Sequence, residues 1–328
     1  MRRSADKVRV NAQLVDAETG AHLWAERFDR EFGDLFALEN EITARIANTL
    51  GWELIGLEVA RPPAQPDALD YILRGRAELA NGRRSENIAN AMSNFECALA
   101  LDPRSAEAAG RLAHALVLRA QYMNPVAAAP DFQRADGLIA QALALSPREP
   151  SAHMAKGALL SRMRRWEEAM PEFEAVLAVD RNYPGAVHTL GVCKYLTGGS
   201  DRESIALAEQ AIRLSPHDPG NSGRYCWIGT VHLMQSRIDE AIPWLEKSRS
   251  ARPEDPSADW FLAAAYGLRG DEQLARARLA EAIRVTASDK YSTIARIRAN
   301  GELNTPALRD RFESVFLAGL RKAGLPEE

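Results

Sequence analysis

The residues best able to do chemistry in this chain are not arranged to do it. Of the six histidines, His22, His114, His153, His188, His217 and His232, no two stand three or four apart, the spacing by which one helix face would offer two imidazoles to a metal. His153 and His232 fall within helical patterns and are expected to serve as packing residues. Cys97, Cys193 and Cys226 are odd in number, far apart and without a CxxC pair, so neither a disulfide framework nor a cysteine zinc site is supported. Cys193 and Cys226 have only the adjacent Lys194 and Arg224 as nearby cations, so buried, unreactive thiols are expected. HExxH, GxSxG, GxGxxG and GxxxxGK[ST] are all absent. No catalytic residue, metal or cofactor is therefore implied.

Composition narrows the classes further. The 328 residues carry 41 basic and 45 acidic side chains, a net charge of −4, without the basic excess of a surface that neutralises phosphates, so nucleic acid is not an expected partner. The longest stretches free of Asp, Glu, Lys and Arg, Asn182–Cys193 and Tyr225–Ser236, are twelve residues each, short of the roughly 20 that span a bilayer. The first 30 residues hold charges throughout and no apolar signal core. A cytoplasmic protein with reduced cysteines and no membrane partner is the expectation.

What the elements must then position is a surface. Residues 8–15 alternate, with Val8, Val10, Ala12 and Leu14 on one side and Arg9, Asn11 and Gln13 on the other, which predicts a half-buried strand. Asp16–Gly20 carries turn formers, Ala21–Phe28 is a second extended stretch, and Asp34 opens a helical stripe through Leu35, Leu38, Ile42, Ile46, Leu50 and Leu54. This β-β-α segment is small for independent stability and leaves strand edges open. Three prolines in Arg61–Pro66 then end any helix and mark a boundary.

From Leu69 the pattern becomes periodic. Small residues Gly157, Gly191, Gly229 and Ala263 recur at steps of 34, 38 and 34. Twelve residues after three of them stand Ala169, Ala241 and Ala275, followed four later by Phe173, Leu245 and Leu279. Such spacing predicts paired helices whose backbones approach at the small positions while larger residues fill the groove. Pro103, Pro147, Arg181, Pro216, Pro253 and Ala287 mark the ends of successive pairs.

These residues resemble the tetratricopeptide repeat, a helix-turn-helix of 34 residues with small positions on both helices and a proline at its end. Trp166-Glu167-Glu168-Ala169 and Ile238-Asp239-Glu240-Ala241 are similar to the family's entry into its second helix, and Leu262-Ala263 with Tyr266 to its first-helix signature. Arg181 and Ala287 stand where proline is usual, Asp259 where a large apolar residue is, and longer loops are expected at Asn81–Ser85 and Gln121–Asp131. Residues 8–46 resemble the second half of the TolB-amino-terminal-like domain, whose first half is not in the chain, which implies a misassigned start or a fragment. The resemblance further implies fusion to a class III adenylate/guanylate cyclase or a winged-helix regulator, and the ending Gly319–Glu327 is similar to the tail of cyclase-associated proteins. A cyclase needs paired metal-binding aspartates on adjacent strands; no strand is predicted after residue 60, and turn formation accounts for Asp16 and Asp29.

The expected architecture is an all-α solenoid of about six such helix pairs behind a small truncated α/β segment. Residues 1–60 form the front segment, 61–68 a proline-rich linker, 69–287 the repeat array, and 288–328 capping helices and tail, with one helix over Pro306–Leu325 sealing the last repeat. By the resemblance, the inner wall comes from the first helix of each pair, which nominates Met154, His188, Tyr195, Trp227, Thr230, Trp260 and Phe261 as partner-binding residues, with Ala158, Ser161, Val192, Cys226, Leu233, Ala264 and Gly267 in the same wall. This wall is aromatic and apolar and lacks the lysine, arginine and asparagine set that clamps a terminal carboxylate. An apolar helix or extended protein segment is the expected ligand, unless the superhelix closes on itself or the front domain or a capping helix fills the groove. A non-enzymatic interaction scaffold or sensory module follows; the alternative is the C-terminal regulatory portion of a class III cyclase whose catalytic domain is not in this chain.

Overall fold

The computed structural model describes residues 2–4, 7–15, 20, 22–31, 43, 66–81, 84–121, 125–286, 291–301 and 303–328. They divide into two compact units, residues 1–103 with 213–217, and residues 104–212 with 218–328.

The first unit opens with an antiparallel sheet of β1 (Arg2–Ser4), β2 (Lys7–Val15) and β3 (His22–Glu31) in sequential order. Val10 pairs with Phe28, Ala12 with Glu26 and Leu14 with Trp24, so the predicted alternation sets the register, with an irregularity between Leu14 and Val15. Gly20 takes a φ of 70° in the connection. β1 was not legible, because three residues are too few to show a period. Of the helix predicted from Asp34 to Leu54, Thr43 alone lies within the described residues. Helices α1 (Ala68–Ala80) and α2 (Ser85–Leu101) form the first hairpin of the array. Asp67 and Asp70 close a reciprocal capping box at 2.7 and 3.0 Å, and Gly75 lies where a Cβ would strike the Phe95 ring. Of the longer loop expected at Asn81–Ser85, Asn81 caps α1 and Arg84 precedes α2, while residues 82 and 83 lie outside the described residues.

The second unit continues the hairpins: α3 (Ala106–Gln121) with α4 (Pro125–Leu145), α5 (Pro150–Arg162) with α6 (Trp166–Val179), α7 (Pro184–Leu196) with α8 (Asp201–Leu214), α9 (Asn221–Met234) with α10 (Ile238–Ala251), and α11 (Ser257–Arg269) with α12 (Glu272–Thr286). The first helices of neighbouring hairpins pack together, α3 on α5 and α9 on α11, and the second helix of one hairpin packs on the first of the next, as α6 does on α7 and α10 on α11. The second unit is thus an all-α solenoid of tetratricopeptide type, and the first holds one such hairpin and a small strand segment.

The predicted beat has a physical cause. A Cβ on Gly157 would come within 2.6 Å of the Phe173 ring, on Gly229 within 2.6 Å of Leu245, and on Gly191 within 3.0 Å of Leu207. Each glycine opens the space that one large side chain of the partner helix occupies. The hairpin turns keep the same period. Arg164 (φ 60°), Gly198 (φ 98°), Ser236 (φ 59°) and Gly270 (φ 91°) are all left-handed. After each, an N–H donates to a carbonyl five residues back: Arg165 to Leu160, Gly199 to Lys194, Arg237 to His232 and Asp271 to Tyr266, at 2.8 to 3.0 Å.

The expected loop from Gln121 to Asp131 is a correction: α4 begins at Pro125 and carries Pro130 within it. Proline at the sixth position of a helix forfeits one hydrogen bond near the first turn, and the adjoining alanines favour helix. Pro171 and Pro243 occupy the same position in α6 and α10.

After α12 come α13 (Ile294–Asn300) and α14, which is built of Arg309–Arg311, a π-helical turn Phe312–Leu317 and Ala318–Ala323, ending at Gly324 with φ 102°. The helix expected over Pro306–Leu325 therefore starts three residues later. The wide turn buries Phe312, Val315, Phe316 and Leu317 together.

Candidate partner-binding groove

The inner wall of the second unit is made by the first helices of the hairpins. α14 lies on it, packed against α9 and α11 as well as α12. Gly319 faces the backbone of Ala264, where a Cβ would sit 2.8 Å from the carbonyl carbon, and Gly267 faces the Gly319 carbonyl. Ala264 and Gly267 are two of the wall positions nominated through the resemblance, so the wall already holds a helix, and that helix is the chain's own.

The nominated side chains separate into two groups. Phe261 is half-buried and stacks on Phe316 of α14 at 5.0 Å between ring centroids. Tyr195 is fully buried and meets Trp227 edge-on at 5.7 Å. Burial pushes the Tyr195 phenol up, opposed by Gln235 and by Arg311 of α14. These residues face α14 or support those that do.

The others are taken up inside the array. The Trp227 indole N–H donates to Ser204 Oγ on α8 at 2.9 Å, and that of Trp260 to Thr286 Oγ1 on α12 at 3.0 Å, so each tryptophan ties a first helix to a second. Trp260 also lies 5.9 Å from the Tyr291 ring. Thr230 is buried and donates to the Cys226 carbonyl one turn back, at 2.9 Å. Met154 is buried in α5, its methyl toward Gly185, and His188 is half-buried on α7.

Further polar groups bear on this region. Arg164, at the α5–α6 turn, donates to the carbonyl of Gly301 at 3.3 Å and to that of Asn304. Gly198 at the next turn approaches Ala307. A cleft of about 300 Å³ remains here, lined among others by Ser200, Asp201, Leu308, Asp310 and Arg311. His232 is held below its ordinary range by burial first and by Arg237 second, while Glu240, 3.1 Å away, pulls it up. His153 bonds Glu172 at 2.7 Å and the Pro147 carbonyl at 3.0 Å, a tethered residue rather than a purely packed one. Asp259 is buried between Arg278 at 3.1 Å and Arg249 at 3.3 Å, and its desolvation pushes the carboxyl up.

Burial raises the Cys193 thiol to about 11 and the Cys226 thiol to about 12, which leaves both as unreactive thiols at neutral pH. Among the described residues, no three His, Cys, Asp or Glu side chains gather where they could hold a metal. No helix of the described residues is long and apolar enough to cross a membrane.

Stacked helix hairpins that close at small residues define a tetratricopeptide-type array. In sequence, the chain is similar to "Putative adenylate cyclase 3" of Rhizobium meliloti (strain 1021), 34% identical over 181 residues that cover 52% of this chain and 29% of that protein. The match thus spans under a third of the relative's length. In structure, it superposes on the crystal structure of the APC/C hetero-tetramer Cut9–Hcn1 with a TM-score of 0.55 and 17% identity, covering 75% of this chain and 45% of that one. That likeness shows the fold. PilF of Pseudomonas aeruginosa aligns over 68% of this chain and 93% of its own at 18% identity, with a TM-score of 0.47. No protein-family model matches the chain, and the resemblance of residues 8–46 to the TolB-amino-terminal-like domain is not shown.

Proposed function

We propose that this chain is a non-enzymatic scaffold whose inner wall binds a helical segment of a protein partner. The observation that carries this reading is α14 itself: the wall of α9 and α11 accepts a helix along its length, with glycine against backbone and Phe316 on Phe261. A surface of that kind rewards apolar side chains at helical spacing and offers no cluster of donors for a phosphate backbone. The three free thiols, two of them buried, support a reducing, cytoplasmic setting. The fold likewise supplies a long wall rather than a pocket where bonds are made and broken.

A photo-reactive amino acid in place of Ala158, a half-buried residue of α5 nominated for the wall, tests this in cells expressing the full chain. Cross-links to an apolar helix of a second protein are expected; cross-links confined to the chain itself would remove the scaffold reading. Purified protein given ATP or GTP with manganese should form no cyclic nucleotide, and turnover would overturn the non-enzymatic reading. The alternative, a regulatory portion of a class III cyclase, is consistent with the name of the Rhizobium relative, of which 29% is covered. An in-frame cyclase domain in the DNA upstream of Met1 would support it; an in-frame stop codon followed by unrelated sequence would dismiss it, and a helix-turn-helix there would instead mark a winged-helix regulator.

A further inference from the structure

The C-terminal segment is held together by bonds of its own. The N–H groups of Ile294 and Ala295 donate to the carbonyls of Pro326 and Glu327 at 2.9 and 3.0 Å, so the tail closes back on α13. Arg298 forks onto the Glu313 carboxylate at 2.5 and 3.1 Å. The Phe312 ring lies against Gly301, where a Cβ would come within 2.6 Å of it.

Its grip on the repeats is of a different kind. Gly319 on Ala264 and Phe316 on Phe261 are van der Waals contacts. A polar link comes from Arg164, which donates to the Gly301 and Asn304 carbonyls. Arg164 holds a left-handed φ of 60° where the turns after α7 and α11 use glycine. That conformation disfavours any residue with a Cβ, and here it carries the side chain that touches the segment.

We propose that residues 294–325 are an exchangeable occupant of the inner wall, and that the partner displacing them is an amphipathic protein helix with the same pattern. In this pattern two aromatic residues stand four apart, a glycine follows three further on, and a leucine comes next, as in Phe312, Phe316, Gly319 and Leu320. The glycine is the selective feature, because any side chain there meets the Ala264 backbone. This deepens the groove reading and rests on it. A tethered occupant of micromolar intrinsic affinity acts at an effective concentration of order millimolar, so a free competitor binds about 1,000-fold more weakly than to an open wall.

The probe is a labelled synthetic peptide of residues 305–325, with a second copy carrying Gly319→Leu. The full chain bearing Gly319→Leu should bind the native peptide about 1,000-fold more tightly than the wild-type chain does. Arg164→Gly, which keeps the turn and removes the link, should tighten binding about tenfold. The leucine peptide should bind none of them. Retained helicity with no gain in peptide binding by either variant would overturn the proposal. Amide hydrogen exchange on the wild-type chain decides the matter without any variant: residues 294–325 should open together and earlier than α9 and α11, and a single common opening would overturn it. Should exchange and peptide binding come out as expected while the Ala158 cross-linker finds no second protein, the exchange stands and the scaffold reading falls.

Discussion

Gly157 and Gly319 both allow a close approach, but to different things. Gly157 admits the side chain of Phe173 within its own hairpin, and the same relation recurs between Gly191 and Leu207 and between Gly229 and Leu245, always sixteen residues on. Gly319 admits a backbone, that of Ala264, and does so once, across a sequence separation that matches no period of the chain. The first seam forms as each hairpin closes and is repeated along the array. The second joins a non-repeating element to the inner wall. Stability built from nearest-neighbour terms should therefore fall steeply when the first seam is disturbed and only locally when the second is.

The sharpest way to break that contrast is Gly157→Leu. With Phe173 only 2.6 Å from the position of a Cβ, the substitution should cost about 3 kcal/mol in urea unfolding, as overpacking of a tight core does. Gly319→Leu should leave the helical signal of the hairpins in place and lower protection only in α13 and α14. Equal losses from the two would erase the distinction.

Asp259 tests α11, the helix common to both seams. Its folded-state pKa is raised, chiefly by burial, so the folded chain holds that proton more tightly than the unfolded one. Its stabilising effect is then complete below the ordinary aspartate pKa of about 3.9 and is lost as pH rises through the raised value. The stability of the wild-type chain relative to Asp259→Asn should therefore fall as pH climbs from 4. A rise instead would mean that Arg278 and Arg249 outweigh desolvation.

How much of this the sequence carried follows from the same contrast. Hairpin packing repeats, so Gly157, Ala169 and Phe173 could be aligned with Gly229, Ala241 and Leu245 and read as one contact. The left-handed turns repeat as well, at residues 164, 198, 236 and 270, but Arg and Ser stand where Gly would have announced them. The wall positions Ala264 and Gly267 were legible through the resemblance; their occupant was not. A contact made once leaves no period, and Gly319 looks like any glycine near a helix end. Trp227 and Trp260 were read as wall residues from their offsets, yet the Ser204 and Thr286 hydroxyls that take their indole N–H groups lie on second helices, which the first-helix count does not consult.

The turns give the finest test. Ser236 holds φ 59°, and Ser236→Gly should stabilise the array by about 1 kcal/mol, the cost of a left-handed residue with a Cβ. Arg164→Gly relieves the same strain at φ 60° but removes the bonds to Gly301 and Asn304, so its gain in thermal unfolding should be smaller than that of Ser236→Gly. Gly137, with no atom within 4 Å of a built Cβ, sets the scale for a glycine in neither seam: Gly137→Ala should stabilise α4 by about 0.5 to 1 kcal/mol through helix propensity alone. If Arg164→Gly gained as much as Ser236→Gly, the guanidinium would contribute nothing to holding the C-terminal segment. The second seam would then rest on the apolar contacts of Phe316, Gly319 and Leu320.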